Sequence, residues 1–147
     1  MPKILVLYYS RTGATKKMAE AVAEGAKTVQ NAEVELSYHV ETETLSNYDA
    51  LIIGTPTYHH DMTLDMKMLF EDAAVRNVNL KNKIGAAFGS YGWSGEAPRM
   101  IIEIMKNKFE MHVPEPPLLI KYTPDQTALS ACRDLGKRIS ESLMHQA

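Results

Sequence analysis

The sequence predicts a doubly wound α/β fold, in which a five-stranded parallel sheet of order 2-1-3-4-5 lies between two layers of helices. Short apolar runs, typical of strands buried on both faces, alternate along the chain with segments whose apolar residues recur at helical spacing. Such strand–helix–strand repeats connect parallel strands through right-handed crossovers. The length of 147 residues favours one domain, spanning 1–147.

In the first half of the chain, the apolar run Lys3–Tyr9 predicts a buried strand. A helix is predicted over Thr15–Val29, because its apolar residues recur every three or four positions. Glu33–Tyr38 alternates polar with apolar residues, which predicts a half-exposed strand with Tyr38 on its apolar side. Asp49–Gly54 contains a second continuous apolar run and predicts another buried strand, which ends at a Thr-Pro-Thr sequence.

The second half of the chain continues the same alternation. Apolar residues at helical spacing predict a helix over Thr63–Arg76, and the run Lys83–Gly89 predicts a third buried strand. A further helix is predicted over Ala97–Phe109. Pro116–Tyr122 contains the run LLIKY and predicts the fifth strand, and Pro124–Met144 predicts a long final helix.

The composition excludes several classes of protein. The net charge is −2 and basic residues form no block, so we expect no nucleic-acid partner. The apolar runs are far shorter than the ~20 residues that a membrane span needs, and the N-terminus lacks a signal-peptide pattern. The single cysteine, Cys132, excludes an intramolecular disulfide. We therefore expect a cytoplasmic protein without membrane insertion.

Three loops of unusual composition follow the first, third and fourth predicted strands. They are Ser10–Thr15, Thr55–Met62 and Ser90–Gly95. In a doubly wound sheet, ligands bind beyond the carboxyl ends of the strands, where the winding reverses. The predicted topology therefore brings these three loops to one binding site.

The first loop, SRTGAT, has the composition of a phosphate-binding loop. It joins a strand to the start of a helix, where unpaired amides and partial positive charge attract anions. Ser10, Thr12 and Thr15 add hydroxyl donors, and Gly13 lets the backbone approach a ligand closely. Neither GxxxxGK[ST] nor GxGxxG is present, so the pattern favours a single phosphate group. An ordinary helix N-cap remains the alternative.

The other two loops favour a planar ring. Tyr58, His59 and His60 offer flat faces and hydrogen-bonding edges, and Trp93 and Tyr91 lie among glycines. A turn with a half-buried aromatic residue is the alternative for the third loop. We do not predict a metal site, because adjacent residues at a strand end point apart and other ligands at metal-binding spacing are missing. A phosphate at one end and a heteroaromatic ring at the other describe FMN.

Over essentially its whole length, the chain resembles the flavodoxin family. The motifs that carry the resemblance are SRTGAT, GTPTYHH and GSYGWSGEA, and the last is most similar to the flavodoxin-like domain of flavodiiron (A-type) flavoproteins. The resemblance implies a flavodoxin-like three-layer α/β/α sandwich. Flavodiiron proteins also carry an iron-binding His/Glu/Asp motif, which these 147 residues do not contain. We therefore do not expect their oxygen- or nitric-oxide-reducing chemistry here.

The resemblance also implies three sets of FMN-binding residues. The phosphate set comprises Ser10, Arg11, Thr12, Gly13, Ala14 and Thr15. The set on one side of the ring and ribityl chain comprises Thr55, Pro56, Thr57, Tyr58, His59 and His60. The set on the other side comprises Ser90, Tyr91, Gly92, Trp93, Gly95 and Glu96.

The function that these features imply is low-potential electron transfer between redox partner proteins. Acidic residues in and after the ring-side loops would disfavour added negative charge on a reduced flavin; they are Asp61, Asp65, Glu71, Asp72 and Glu96. Evident catalytic residues are missing, which favours an electron carrier over an enzyme with its own substrate. The alternative is an FMN-dependent NAD(P)H:quinone or iron reductase. A response-regulator receiver is a poor alternative, because the ends of the first and third strands lack the acidic residues that it needs.

Overall fold

The computed structural model describes residues 2–9, 13–57, 61–92, 94–114 and 116–145. Its strands are β1 (Lys3–Tyr8), β2 (Glu33–Ser37), β3 (Ala50–Gly54), β4 (Ile84–Tyr91) and β5 (Leu118–Lys121). Its α-helices are α1 (Ala14–Lys27), α2 (Leu64–Val75), α3 (Glu96–Asn107) and α4 (Gln126–His145), and a 3₁₀ helix covers Thr42–Asn47. Within the described ranges, none of the helices has the length and apolarity that crossing a bilayer requires.

The sheet has the predicted order, β2-β1-β3-β4-β5, and each neighbouring pair is parallel, which confirms the fold class. Successive side chains of a strand point to opposite faces, so β1 contributes to two apolar layers. Ile4 and Val6 pack in the layer that includes α1 and α4. Leu5 and Leu7 pack in the layer that includes α2 and α3. The sheet is therefore covered on both faces.

Helices α1 and α4 pack with their backbones in close contact. A β-carbon at Gly25 would lie 1.9 Å from the carbonyl oxygen of Arg133, and one at Gly136 would lie 1.9 Å from that of Val22. The buried hydroxyl of Ser140 also donates a hydrogen bond to a carbonyl oxygen of α1 at 2.9 Å. Because a glycine lies on each side of the contact, the two helix backbones approach closely along the second half of α1.

Strand β4 is longer than predicted. It includes Ser90 and Tyr91, which the sequence pattern had assigned to a loop, and both residues pair with β5. Gly89 does not end the strand, because the glycine at this position allows the neighbouring backbone to pack closely and does not form a turn. A β-carbon there would lie 2.0 Å from the carbonyl oxygen of Thr55 on the neighbouring strand's continuation. The third loop therefore begins at Gly92.

The segment between β2 and β3 also differs from the prediction. The strand ends at Ser37, and Tyr38, predicted on the apolar side, is 79% exposed beyond its end. The 3₁₀ helix that follows was not predicted, since its sequence TETLSN has one apolar residue. That residue, Leu45, is buried in the layer with α2 and α3. The β2–β3 crossover therefore covers this face with one short helix rather than a full α-helix.

Candidate functional site

The chain leaves three neighbouring strands at one edge of the sheet. After β1, the amide of Tyr9 donates to the carbonyl oxygen of Gly54 at 3.0 Å. After β3, the amide of Thr55 donates to the carbonyl oxygen of Phe88 at 3.0 Å. These bonds continue the parallel pairing beyond the ends of β1 and β3, so the loops that follow these two strands begin side by side. Strand β4 continues past them to Tyr91, and the third loop begins after it on the same side of the sheet.

The first loop meets the start of α1 at Gly13. This N-cap residue has φ 95° and ψ −11°, in the left-handed region that favours glycine. Among the described residues, none has a heavy atom within 4 Å of the position that a β-carbon on Gly13 would take, which leaves space against the backbone on this side. Ser10, Arg11 and Thr12 lie outside the described residues. The partial positive charge of a helix N-terminus thus faces the edge where the three loops begin.

Thr15 and Ser90 contact each other across the sheet edge. Their hydroxyl oxygens lie 2.9 Å apart, and either hydroxyl can donate the hydrogen bond. Thr15 lies in the first turn of α1 and Ser90 near the end of β4, and the two residues are 1% and 7% exposed. A buried side-chain bond therefore links the phosphate set to one of the ring-side sets, although 75 positions separate the two residues.

Another side chain joins the second loop to the start of α3, which follows the third loop. The hydroxyl oxygen of Thr57 accepts a hydrogen bond from the amide of Ala97 at 3.0 Å. The N-cap residue of α3 is Gly95, which has no side-chain oxygen to offer its own helix. Thr57 thus supplies an N-cap to α3 from a different loop, 40 positions away in the chain. This bond fixes the second loop relative to the start of α3, where Glu96 lies.

Three other described members of the predicted sets, Thr55, Pro56 and Tyr91, also take part in hydrogen bonds. Thr55 and Pro56 are buried, and the Thr55 hydroxyl donates to the carbonyl oxygen of Pro56 at 3.0 Å. The carbonyl oxygen of Tyr91 accepts from the amide of Tyr122 at 2.6 Å, while Gly92 is exposed. The predicted ring-side residues Tyr58, His59, His60 and Trp93 lie outside the described residues. The described members nevertheless come from three distant segments and meet at one edge.

Two of the acidic residues near the ring-side loops are paired. Asp61 forms an ion pair with Lys67, and the hydrogen bond from Lys67 is the main reason that the pKa of Asp61 is lowered. The pKa of Asp72 is lowered mainly by a hydrogen bond from Thr42 and then by Arg76, which also forms an ion pair with it. Both carboxylates stay ionised at neutral pH, and the partner cations cancel part of their field.

Sequence reasoning missed a cavity that opens at the same edge. It has a volume of about 590 Å³ and lies between the end of β1, the segment after β2 and α2. Tyr9, Tyr38 and Met68 are among its lining residues, and Met68 is 56% exposed. Thr42, the first residue of the 3₁₀ helix, also lines the cavity, and a sequence pattern gives little warning of so short a helix. Its described lining shares no residue with the predicted FMN-binding sets.

Known proteins resemble this chain in sequence and in fold. The flavodoxin family model matches residues 6–136. A type A flavoprotein of Rhodobacter capsulatus is 33% identical over 151 aligned residues, which cover 98% of this chain and 34% of that protein. The chain therefore spans about a third of that relative's length.

Two flavodoxins are matched along most of their length. A flavodoxin of Aquifex aeolicus is 34% identical, with 96% of this chain and 86% of that protein covered. The solved structure of a flavodoxin from the domain Archaea superposes with a TM-score of 0.89 at 38% identity, covering 97% of this chain and 99% of that chain. These relatives agree with the resemblance that the loop motifs predicted.

Proposed function

The chain belongs to the flavodoxin family, and on that premise we propose that residues 1–147 form a single FMN-binding domain that transfers electrons between redox partners. Membership of the family implies a flavin cofactor and exchange of electrons with redox proteins. The finer parts of the proposal are the identity of the flavin as FMN, its low potential and the residues that hold it. They are supported by the loop motifs and by the geometry of the sheet edge.

One observation carries the proposal: two side-chain hydrogen bonds tie the first and second loops to β4 and α3, the two elements that flank the third loop. The Thr15–Ser90 bond joins the first loop to β4, and the Thr57–Ala97 bond joins the second loop to α3. Ligands of doubly wound sheets bind at this edge, where the winding reverses beside β1 and β3. Loops that are fixed relative to one another can hold both ends of one ligand.

At the phosphate end, we expect the first-turn amides of α1 and the hydroxyl of Thr15 to bind the FMN phosphate. A phosphate is stabilised by the positive end of a helix, and the open space beside Gly13 lets it approach the backbone. Ala14 belongs to the same first turn. Ser10, Arg11 and Thr12 complete the set, with their sequence motif as the support.

At the ring end, we expect the second and third loops to hold the isoalloxazine ring and the ribityl chain between them. When bound, FMN supplies the redox chemistry by accepting and releasing electrons. The chain positions and tunes it. The first set is Thr55, Pro56, Thr57, Tyr58, His59 and His60, and the second is Ser90, Tyr91, Gly92, Trp93, Gly95 and Glu96. Acidic residues near these loops, such as Asp65 in the first turn of α2, raise the energy of added negative charge.

A titration of the flavin-free protein tests the proposal. FMN, FAD and riboflavin are added separately, and binding is followed by the quenching of flavin fluorescence. We expect one FMN per chain, bound more tightly than riboflavin, and a midpoint potential of the complex below that of free FMN. Folded protein that does not quench FMN fluorescence at saturating concentration would contradict the proposal.

The reductase alternative is not favoured, because the family match and the flavodoxin relatives point to an electron carrier. The FMN complex distinguishes the two functions directly. An electron carrier exchanges electrons with reduced redox proteins and shows little steady oxidation of NADPH in the presence of a quinone. Rapid turnover of NADPH with a quinone, and without a partner protein, would instead support the reductase.

A further inference from the structure

We propose that Ser90 is a positioning residue, whose hydroxyl donates to the Thr15 oxygen and thereby directs the Thr15 hydrogen toward the phosphate end of the ligand. The inference rests on the proposed function and deepens it. The sequence motif had placed Ser90 beside the ring, whereas the structure gives its hydroxyl a partner in the phosphate set.

The first step of the argument is the number of hydrogens that the two hydroxyls share. Each hydroxyl has one hydrogen and two acceptor lone pairs. A single bond between the oxygens, which lie 2.9 Å apart, uses one of the two hydrogens. The other hydrogen remains for a second acceptor. Which residue keeps it depends on which hydroxyl donates, and both directions satisfy the geometry of the pair.

The second step is the effect of a bound anion on this choice. Thr15 lies in the first turn of α1, at the positive end of the helix, whereas Ser90 lies in a strand. A hydrogen bond to an ionised acceptor is roughly twice as strong as one between neutral groups. A phosphate at the helix start therefore draws the Thr15 hydrogen to itself. Ser90 is then the residue that donates within the pair.

The third step is cooperativity. Hydrogen bonds in a chain polarise one another, so donation from Ser90 strengthens the bond that Thr15 makes with an anion. Both residues are buried, Thr15 at 1% and Ser90 at 7% exposure, which limits competition from water for the bond between them. Ser90 also immediately precedes Tyr91 and Gly92 of the ring-side set. The pair thus couples phosphate binding to the position of the third loop.

The test compares the affinities of FMN and riboflavin, which differ by the phosphate. For Ser90→Ala we expect the FMN dissociation constant to rise about three- to tenfold, the effect of one hydrogen bond. The riboflavin dissociation constant should change by less than about twofold, because riboflavin has no phosphate for Thr15 to bind. Ser90→Cys keeps the size of the side chain with a weak donor. This variant should also raise the FMN dissociation constant, and it replaces Ser90→Ala in the test if the alanine variant folds poorly.

A double-mutant cycle and a matched control complete the experiment. In a Thr15→Val background, Ser90→Ala should produce no further change in the affinity for FMN, because Ser90 acts through the Thr15 hydroxyl. Ser140→Ala is the control. It also removes a buried serine hydroxyl bonded to α1, but far from the loops. We expect it to lower stability while leaving the ratio of the two flavin affinities unchanged.

The outcomes separate this inference from the proposed function. A native protein that binds neither flavin overturns both. A native protein that binds FMN, with Ser90→Ala weakening FMN and riboflavin equally or weakening neither, overturns the positioning role alone. Additive effects of Ser90→Ala and Thr15→Val on FMN affinity overturn it as well. A phosphate-specific, non-additive loss supports it.

Discussion

The hydrogen bond from the amide of Ala97 to the Thr57 hydroxyl gives a sharp prediction about how the ring-side loops are held. Thr57→Val replaces the accepting hydroxyl with a methyl group of similar size and keeps the branched side chain. The change leaves a helix without its N-cap and a buried amide without its partner, since Ala97 is 0% exposed. The loss of an N-cap and the loss of a buried hydrogen bond each lower the free energy of unfolding by about 1–2 kcal/mol. Here both descriptions refer to the same bond, so the two values are not added. We therefore expect a total loss of about 1–2 kcal/mol.

Urea unfolding of the flavin-free protein, followed by far-ultraviolet circular dichroism, measures this loss. In thermal unfolding of Thr57→Val, the melting temperature of a chain of about this length should fall by roughly 2–8 °C. Thr57→Ser keeps the accepting oxygen and should stay close to the native protein. Thr127→Val is the matched control, because it makes the same side-chain change at an exposed position of α4.

The FMN affinity of the same variants shows whether the Thr57 hydroxyl acts as the N-cap of α3 or contacts the ligand directly. If the hydroxyl acts as the N-cap of α3, the stability of the flavin-free protein must fall in Thr57→Val. A variant with native stability and weakened FMN binding would show that the hydroxyl contacts the ligand instead. Equal losses in Thr57→Val and Thr57→Ser would also refute the capping argument.

Three further predictions concern the frame that holds the site. Gly136→Ala should destabilise the protein by about 1–3 kcal/mol in urea unfolding, because a β-carbon 1.9 Å from the Val22 carbonyl oxygen forces α1 and α4 apart. Gly92→Ala, whose β-carbon would lie 3.6 Å from Tyr122, its nearest contact among the described residues, should be nearly neutral. Burial raises the pKa of Cys132 to about 11, so the thiol should resist a thiol reagent at pH 8 until the protein unfolds. As the pH rises, the thiol ionises in the unfolded chain before it ionises in the folded protein. The contribution of the buried thiol to stability should therefore be present below about pH 8.5 and be lost as the pH rises to about 11. Cys132→Ala should abolish this pH-dependent loss. Asp125 accepts from the amide of Ala128 at the start of α4, so Asp125→Ala should cost about 1 kcal/mol and Asp125→Asn much less, as thermal unfolding can show.

Much of the fold could be predicted from local pattern, and its departures have local causes. The runs Ile4–Leu7 and Leu51–Ile53 are apolar throughout because both faces of these strands are covered, and this burial is readable in sequence. The extension of β4 through Ser90 could not be predicted from the sequence. Gly89 signals a turn in isolation, and only the approach of Thr55 and the pairing with β5 show that the strand continues. The 3₁₀ helix was missed because one buried residue, Leu45, makes no periodic pattern.

The sequence by itself determined the order of strands and helices. It also predicted the edge at which a ligand should bind and the three segments that reach that edge. Apolar periodicity and crossover handedness are local or topological properties, so a linear pattern contains them. Only the tertiary structure decided which polar groups face one another, such as Thr15 with Ser90 and Thr57 with the amide of Ala97. A hydrogen bond depends on separations of about 3 Å between atoms, and those are set by the packing of α1 and α3 on the sheet rather than by spacing along the chain.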